Sequence, residues 1–269
     1  METPIILNSA ANPQIKRAIA LRTGTAARRE AGLFVLDGLR LCMDALNSGI
    51  VIEQTFITEA ALQKHPREAA ALLAGTHQGY RVGDAVLRRL SDVDTPQGVV
   101  CVCRIPEQTF TLADICPGGR YLMLERLGDP ANLGAIARSC EAFGVDALLM
   151  AGGREGAGCS VYGPKAQRAA MGALLRLPVL ELAEVKEALA VLKSAGVPTF
   201  AAALLPTALA PGELDFSRGG AVLIGNEGAG LESDTIAACD YAVMIPMRGR
   251  AQSLNAAAAA AILAYELTR

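Results

Sequence analysis

Three short segments place side chains able to do chemistry beside residues that let a backbone approach a ligand closely. The first runs Asp129-Pro130-Ala131-Asn132-Leu133-Gly134 and continues to Arg138. Asn132 is suited to cap the helix that follows. Arg138 lies inside that helix among Ile136, Ala137 and Phe143. A guanidinium there calls for an anionic or hydrogen-bonding partner, either a carboxylate of the chain or a phosphate from outside. The second segment, Gly225-Asn226-Glu227-Gly228-Ala229-Gly230-Leu231, follows the apolar run Val222–Ile224. Its three glycines permit tight turns and close contact between backbone and ligand. The third runs from Ile245 through Met247, Arg248, Arg250, Ser253 and Leu254 to Asn255, just before an alanine-rich stretch. Ser253 or Asn255 can cap a helix there. The same loop can also face the first two segments across a pocket, with Arg248 and Arg250 at its rim.

Several chemistries are excluded by what these segments lack. The glycines of the second segment read GxxGxG, the run Gly152–Gly158 also departs from GxGxxG, and no GK[ST] occurs. A standard dinucleotide or nucleoside-triphosphate site is therefore disfavoured. His65 and His77 have no partner at a zinc spacing, so no metal is expected. The seven cysteines are odd in number and form no CxxC, which indicates reduced thiols and a cytoplasmic location. No Ser–His–Asp signature is present either.

The three segments need a scaffold, and the apolar runs supply its outline. Hydrophobic residues make up 52% of the 269 residues and aromatics only 4%, so Ala, Leu and Val must build the core. Strands are expected at Leu33–Leu36, Gln54–Thr58, Gly79–Val82 and Gly98–Arg104, and helices at Arg40–Asn47, Glu59–Leu73 and Asp84–Leu90. Beyond a Pro/Gly-rich stretch, Tyr121–Leu124, Ala147–Met150, Thr199–Leu204, Ala221–Ile224 and Ala242–Ile245 read as strands. Leu133–Phe143, Lys165–Leu175, Val185–Ser194 and Ser253–Leu267 read as helices between or after them. This alternation predicts an α/β fold, a parallel sheet with helices on both faces. The expected divisions are a helical extension at 1–29, a small α/β domain at 30–108, a linker at 109–119 and a larger domain at 120–269. Ligands in such sheets sit beyond the carboxyl ends of the strands, where all three segments fall.

The formal charge of −2 is not that of a general nucleic-acid binder. Local patches would have to serve instead, the clearest being Lys16, Arg17, Arg22, Arg28 and Arg29. The start carries no charged segment followed by an apolar run, so no secretory leader is expected. The alanine-rich stretch Ala256–Ala264 is too short to span a bilayer, and no membrane association is expected.

In this order and at these strand ends, the residues Asn132–Arg138, Gly225–Leu231 and Ile245–Asn255 resemble the SpoU family, the TrmH-like RNA ribose methyltransferases. Tyr162-Gly163-Pro164-Lys165 to Arg168, and Met171-Gly172-Ala173 to Pro178, are similar to that family as well, so the resemblance covers residues 120–269. Residues 30–105 resemble, more weakly, its substrate-binding domain, related in fold to a ribosomal RNA-binding protein. The cues are Asp37-Gly38-Leu39-Arg40, Leu90-Ser91-Asp92 and Thr95-Pro96-Gln97-Gly98. Departures from the family pattern stand at Gly163, Ala170, Cys140, Ala257 and Ala261.

The resemblance implies a C-terminal trefoil knot and a small N-terminal RNA-binding domain. It implies S-adenosylmethionine held by Gly225, Ile245, Met247 and Leu254, largely through backbone groups, and a homodimer through the C-terminal domain. It also implies a functional polar set of Asn132, Arg138, Glu227, Ser253 and Asn255, acting on a ribose 2′-hydroxyl of RNA. Two domains and this length favour ribosomal over transfer RNA. Lys16, Arg17, Arg28, Arg29, Lys165 and Arg168 are the expected RNA contacts. A guanidinium stays protonated near neutrality and is a poor base. The expected role of Arg138 is therefore to hold an RNA phosphate and stabilise the developing alkoxide. The alternatives are transfer-RNA methylation or a non-catalytic assembly factor that keeps the fold. Loss of Arg138, Glu227 or Asn255 would favour the latter, and all three are present.

Overall fold

The computed structural model describes residues 4–152 and 159–269, so residues 1–3 and most of the Gly152–Gly158 run lie outside the described residues. The chain forms two compact units, Met1–Glu107 with Ser160–Leu175, and Gln108–Cys159 with Arg176–Arg269.

In the first unit the described elements are β1 (Ile5–Leu7), α1 (Pro13–Thr23), α2 (Thr25–Ala31), β2 (Leu33–Asp37), α3 (Leu39–Asn47), β3 (Ile52–Ile57), α4 (Glu59–Lys64), α5 (Pro66–Ala74), β4 (Thr76–Val82), α6 (Asp84–Leu90) and β5 (Val99–Arg104). A further helix at Pro164–Ala170 comes from the returning segment. The strands form one mixed sheet in the order β1-β4-β3-β5-β2, with β5 antiparallel to both β2 and β3. Both faces are covered. Phe34, Leu36, Cys101 and Cys103 point to one core, and Leu33, Val35, Val100 and Val102 to the other. This is why these strands read as unbroken apolar runs.

The expected helical extension at 1–29 is drawn into this unit. Ile15, Ala18 and Leu21, at helical spacing, lie in the second core, and β1 pairs with β4. The single helix expected over Glu59–Leu73 is two, because Pro66 brings no N–H and disfavours helix at His65. The expected helix Lys165–Leu175 also divides. It stops at Met171, whose φ is 52°, and a 3₁₀ turn follows at Ala173–Leu175.

The second unit carries β6 (Arg120–Glu125), α7 (Pro130–Phe143) and β7 (Ala147–Ala151). With α8 taken as the helix Pro164–Ala170, it continues as β8 (Val179–Leu182), α9 (Val185–Ser194), β9 (Thr199–Ala202), β10 (Gly220–Ile224), α10 (Ser233–Ala238), β11 (Tyr241–Val243) and α11 (Ala256–Thr268). The described strands form one parallel sheet in the order β11-β9-β10-β6-β7-β8. Tyr121, Met123, Leu149, Ala221 and Leu223 fill the core on one face with Ala188 and Leu192 of α9. α7 and α11 pack against each other, and α11 lies against β6 and β10 through Ala260, Leu263, Ala264 and Leu267. Small alanines let that helix come close. The expected linker at 109–119 packs onto this unit, with Ile115 buried in its core and Phe110 and Leu112 against it. The chain runs outward from β6 through β7 to β8 and then crosses to β9 on the far side of β10. A crevice at the carboxyl ends of β6 and β10 is the expected ligand position of such a sheet.

Candidate active site

The loop after β6 enters α7 at Asp129, whose Oδ1 accepts the Ala131 N–H at 3.0 Å. Asp129, not Asn132, is therefore the N-cap: Pro130 takes the first helical position, and Asn132 falls inside the first turn. There Asn132 is only 9% exposed and its Nδ2 donates to Glu227 Oε1 at 2.9 Å. The Glu227 carboxylate also accepts the backbone N–H groups of Gly128 (3.0 Å) and Asp129 (2.9 Å). A carboxylate only accepts, so Asn132 must turn its amide nitrogen to it and its oxygen away. That oxygen accepts from Asn255 Nδ2 at 3.1 Å, and Asn255 Oδ1 caps α11 by accepting the Ala257 and Ala258 N–H groups. One continuous network thus ties all three segments together. Asn255 caps α11 and joins the network at once.

Sequence reasoning missed two residues that shape the same loops. Asn226 Oδ1 accepts the N–H groups of Gly228 and Ala229, both at 3.0 Å, and its Nδ2 donates to the Arg126 carbonyl at 2.9 Å. Glu125, buried at the end of β6, accepts from the Glu232 N–H and the Thr235 hydroxyl, each at 2.8 Å, and so anchors the exit of the glycine loop. A carboxylate closing an apolar strand was the available signal for Glu125.

Burial raises the Glu227 carboxyl pKa, but the Asn132 amide and the N–H groups of Gly128 and Asp129 outweigh it and hold the pKa below the usual glutamate value. A carboxyl lowered on folding contributes stability that is present above its unfolded pKa of about 4.3. That stability is lost as pH falls through the folded value. Glu227→Gln is accordingly expected to melt below the wild type at neutral pH, with the gap closing in the acid range below about pH 4. Thermal melts across pH check this; a gap that is constant with pH contradicts it.

Beside this network lies a cavity of about 540 Å³. Gly225, Ile245, Met247 and Leu254 all line it, as do Glu227 and Ser253. Asn132 and Asn255 are not on its lining; they hold its walls. Arg138 is in neither group. Apolar side chains do not enclose it: Arg138 lies on the exposed face of α7 with Ala135 and Ala142. Its side chain has no hydrogen-bond or ion-pair partner among the described residues.

The expected RNA contacts separate. Lys16, Arg17, Arg29 and Lys165 are exposed. Arg168 donates to Asp92 at 2.9 Å. Arg28 is 5% exposed, and its guanidinium donates to the carbonyls of Leu21 and Arg22 and to Thr25 Oγ1. It closes the turn between α1 and α2 and is not free for phosphate. Replacing Arg28 by Ala is expected to cost about 2 kcal/mol of stability, measured by denaturant unfolding. The salt dependence of RNA binding is expected to stay unchanged; a shallower salt slope would restore Arg28 to the RNA contacts.

Among the described residues no group of three His, Cys, Asp or Glu is placed to hold a metal ion. No helix there is long and apolar enough to cross a membrane.

This chain is similar to known proteins. A 23S rRNA (guanosine(2553)-2′-O)-methyltransferase, RlmP, of Bacillus subtilis is 29% identical over 97% of this chain and 98% of its own length. A 23S rRNA (uridine(2479)-2′-O)-methyltransferase of Streptomyces viridochromogenes is 30% identical over 96% of this chain and 90% of its own length. Among solved structures, an AdoMet-bound rRNA methyltransferase from Sinorhizobium meliloti superposes with a TM-score of 0.84 at 29% identity, covering 97% of this chain and 96% of that one. Residues 12–101 match an MRM3-like substrate binding domain. Residues 119–265 match the SpoU rRNA Methylase family. That match spans more than half of the sequence, and the chain belongs to the SpoU rRNA methylase family.

Proposed function

We propose that this chain transfers a methyl group from S-adenosylmethionine to a ribose 2′-hydroxyl of ribosomal RNA. The observation that carries the reading is the Asn255–Asn132–Glu227 network, which ties the first segment to the second and third, the two that line the cavity. The cavity fits the donor in size and chemistry. Its volume lies within the usual range of small-ligand sites. Leu204, Ile245, Met247 and Leu254 supply apolar walls for a purine, and the Gly225–Gly230 loop supplies backbone groups. The Glu227 carboxylate on the lining complements a cationic sulfonium and ammonium.

When bound, S-adenosylmethionine supplies a methyl group already activated on sulfur, so what the protein must add is alignment. Gly225, Ile245, Met247 and Leu254 hold the donor, and the apolar walls exclude water. Arg138, without a partner among the described residues, binds an RNA phosphate and stabilises negative charge developing on the attacking oxygen. Ser253 and Asn255, at the mouth of the third segment, orient the acceptor ribose.

Phe143, Ile262 and Tyr265 form an exposed apolar surface on α7 and α11, with the rings of Phe143 and Tyr265 5.5 Å apart. That surface, on the helix that presents Arg138, supports a homodimer through this unit. Free cysteines support a reducing, cytoplasmic setting. Unmodified ribosomal and transfer RNA offered side by side as methyl acceptors test the substrate class. Label is expected in ribosomal RNA; label confined to transfer RNA would transfer the reading to that substrate.

A further inference from the structure

Two segments that do not reach the cavity, Asp37–Arg40 and the loop from Ser91 to Gly98, line a separate cleft of about 350 Å³ within the first unit. Its frame is rigid before any ligand arrives. Asp37 Oδ2 accepts from the Ser91 hydroxyl at 2.5 Å and from the Asp92 N–H at 3.2 Å. The Gly38 N–H donates to the Val99 carbonyl at 3.0 Å, and Gln97 Oε1 accepts the Leu39 N–H at 3.2 Å. Gly38 has φ 103°, and a Cβ there would stand 3.1 Å from that Gln97 oxygen. Glycine is what lets the two segments close on each other.

The polar groups on this cleft exceed what the fold requires. Arg40 and Asp44 lie one turn apart on α3, and neither side chain has a hydrogen-bond or ion-pair partner among the described residues. An arginine in the first helical turn opposes the helix dipole, so local stability does not account for Arg40. Arg168 donates one nitrogen to Asp92, while its Nη1 is buried without an acceptor. Met171, also on the cleft, is 40% exposed and holds φ 52°, an uncommon conformation for a residue other than glycine. Leu41 and Val93 complete an apolar wall.

Two arginines, two carboxylates and an apolar wall on one cleft do not suit a phosphate. They suit an unstacked base, which offers a flat face and a polar edge. We propose that this cleft receives one unstacked guanine of the RNA substrate. Among the bases, guanine presents two adjacent donors, N1–H and the 2-amino group, which match a carboxylate such as Asp44. It also presents two adjacent acceptors, O6 and N7, which match the guanidinium of Arg40 or Arg168. The assignment rests on the reading that the chain acts on RNA, but not on methyl transfer itself.

The test is fluorescence anisotropy of the full chain with short oligoadenylates that carry one central guanosine, one central inosine, or neither. The guanosine oligomer is expected to bind on the order of tenfold tighter than plain oligoadenylate. Inosine lacks the 2-amino group and is expected to fall between. Asp44→Asn is expected to erase the preference, and Arg40→Ala to weaken the guanosine oligomer more than the plain one; Arg40 is exposed and Asp44 half-buried, and thermal melts verify folding. Equal affinity for all three, no measurable binding of the guanosine oligomer, or a preference that survives Asp44→Asn overturns the proposal. Methyl transfer to ribosomal RNA, assayed in parallel, keeps the two readings apart. Transfer without guanine preference refutes the cleft alone, and guanine preference without transfer refutes the activity alone.

Discussion

Replacing Arg138 by Ala is expected to lower the methyl-transfer rate on the order of a hundred- to a thousandfold, the usual loss when an electrostatic stabiliser is removed. The affinity for S-adenosylmethionine is expected to stay unchanged. Arg138 lies on the exposed face of α7, is absent from the cavity lining and lacks a partner among the described residues, so its removal leaves no buried group unsatisfied and no cavity wall displaced. The melting temperature is therefore expected to move little. Arg138→Lys sharpens the test. Lysine keeps the charge but not the planar fork, so a small, pH-dependent activity is expected to remain. Complete loss in the lysine variant with RNA binding intact would argue against simple charge stabilisation. Single-turnover rates, together with calorimetric titration of the donor, separate these outcomes.

The second large effect is expected at Gly225, where methyl-transfer rate and stability fall together. A Cβ built there would lie 2.1 Å from the Gly230 carbonyl carbon and 2.2 Å from the Leu231 nitrogen. Both are backbone atoms, and no rotamer relieves the clash. Gly225→Ala must push the loop that lines the cavity, where displacement by about an ångström costs on the order of a hundredfold in rate. A stability loss of about 2 kcal/mol is expected with it. Gly228 supplies the control: its added Cβ meets Asn226 Oδ1 at 3.6 Å, an ordinary contact. Gly228→Ala is expected to fold and bind the donor as the wild type does. Equal tolerance at both glycines would mean that the loop adapts and that its backbone position does not define the site.

Much of the scaffold was readable because burial on both faces writes itself as unbroken apolar runs. β5, β6, β7 and β10 were all visible in that way. β1 and β8 left no such mark. β1 has Ile5 and Ile6 exposed, and β8 buries only Leu180 among its four residues. The three polar segments were legible as glycine- and amide-rich breaks at strand ends. What joined them was not, because the Asn132–Glu227 and Asn132–Asn255 contacts span 95 and 123 residues of sequence. Side-chain direction was the other gap. Arg28 and Arg29 are neighbours in one basic run, yet helical rotation buries the first against carbonyls and exposes the second. The same rotation brings Arg138 to the outside of a helix whose composition suggested that it was enclosed.

The position of the transferred methyl group tests the central claim most directly. Full-length protein, labelled S-adenosylmethionine and unmodified ribosomal RNA are incubated, and the product is digested to nucleosides. Label is expected in a 2′-O-methylated ribose, resistant to alkaline cleavage at one site and formed on the order of a hundredfold or more slowly with Arg138→Ala. Label on a base, or donor binding without transfer to any RNA, contradicts the claim.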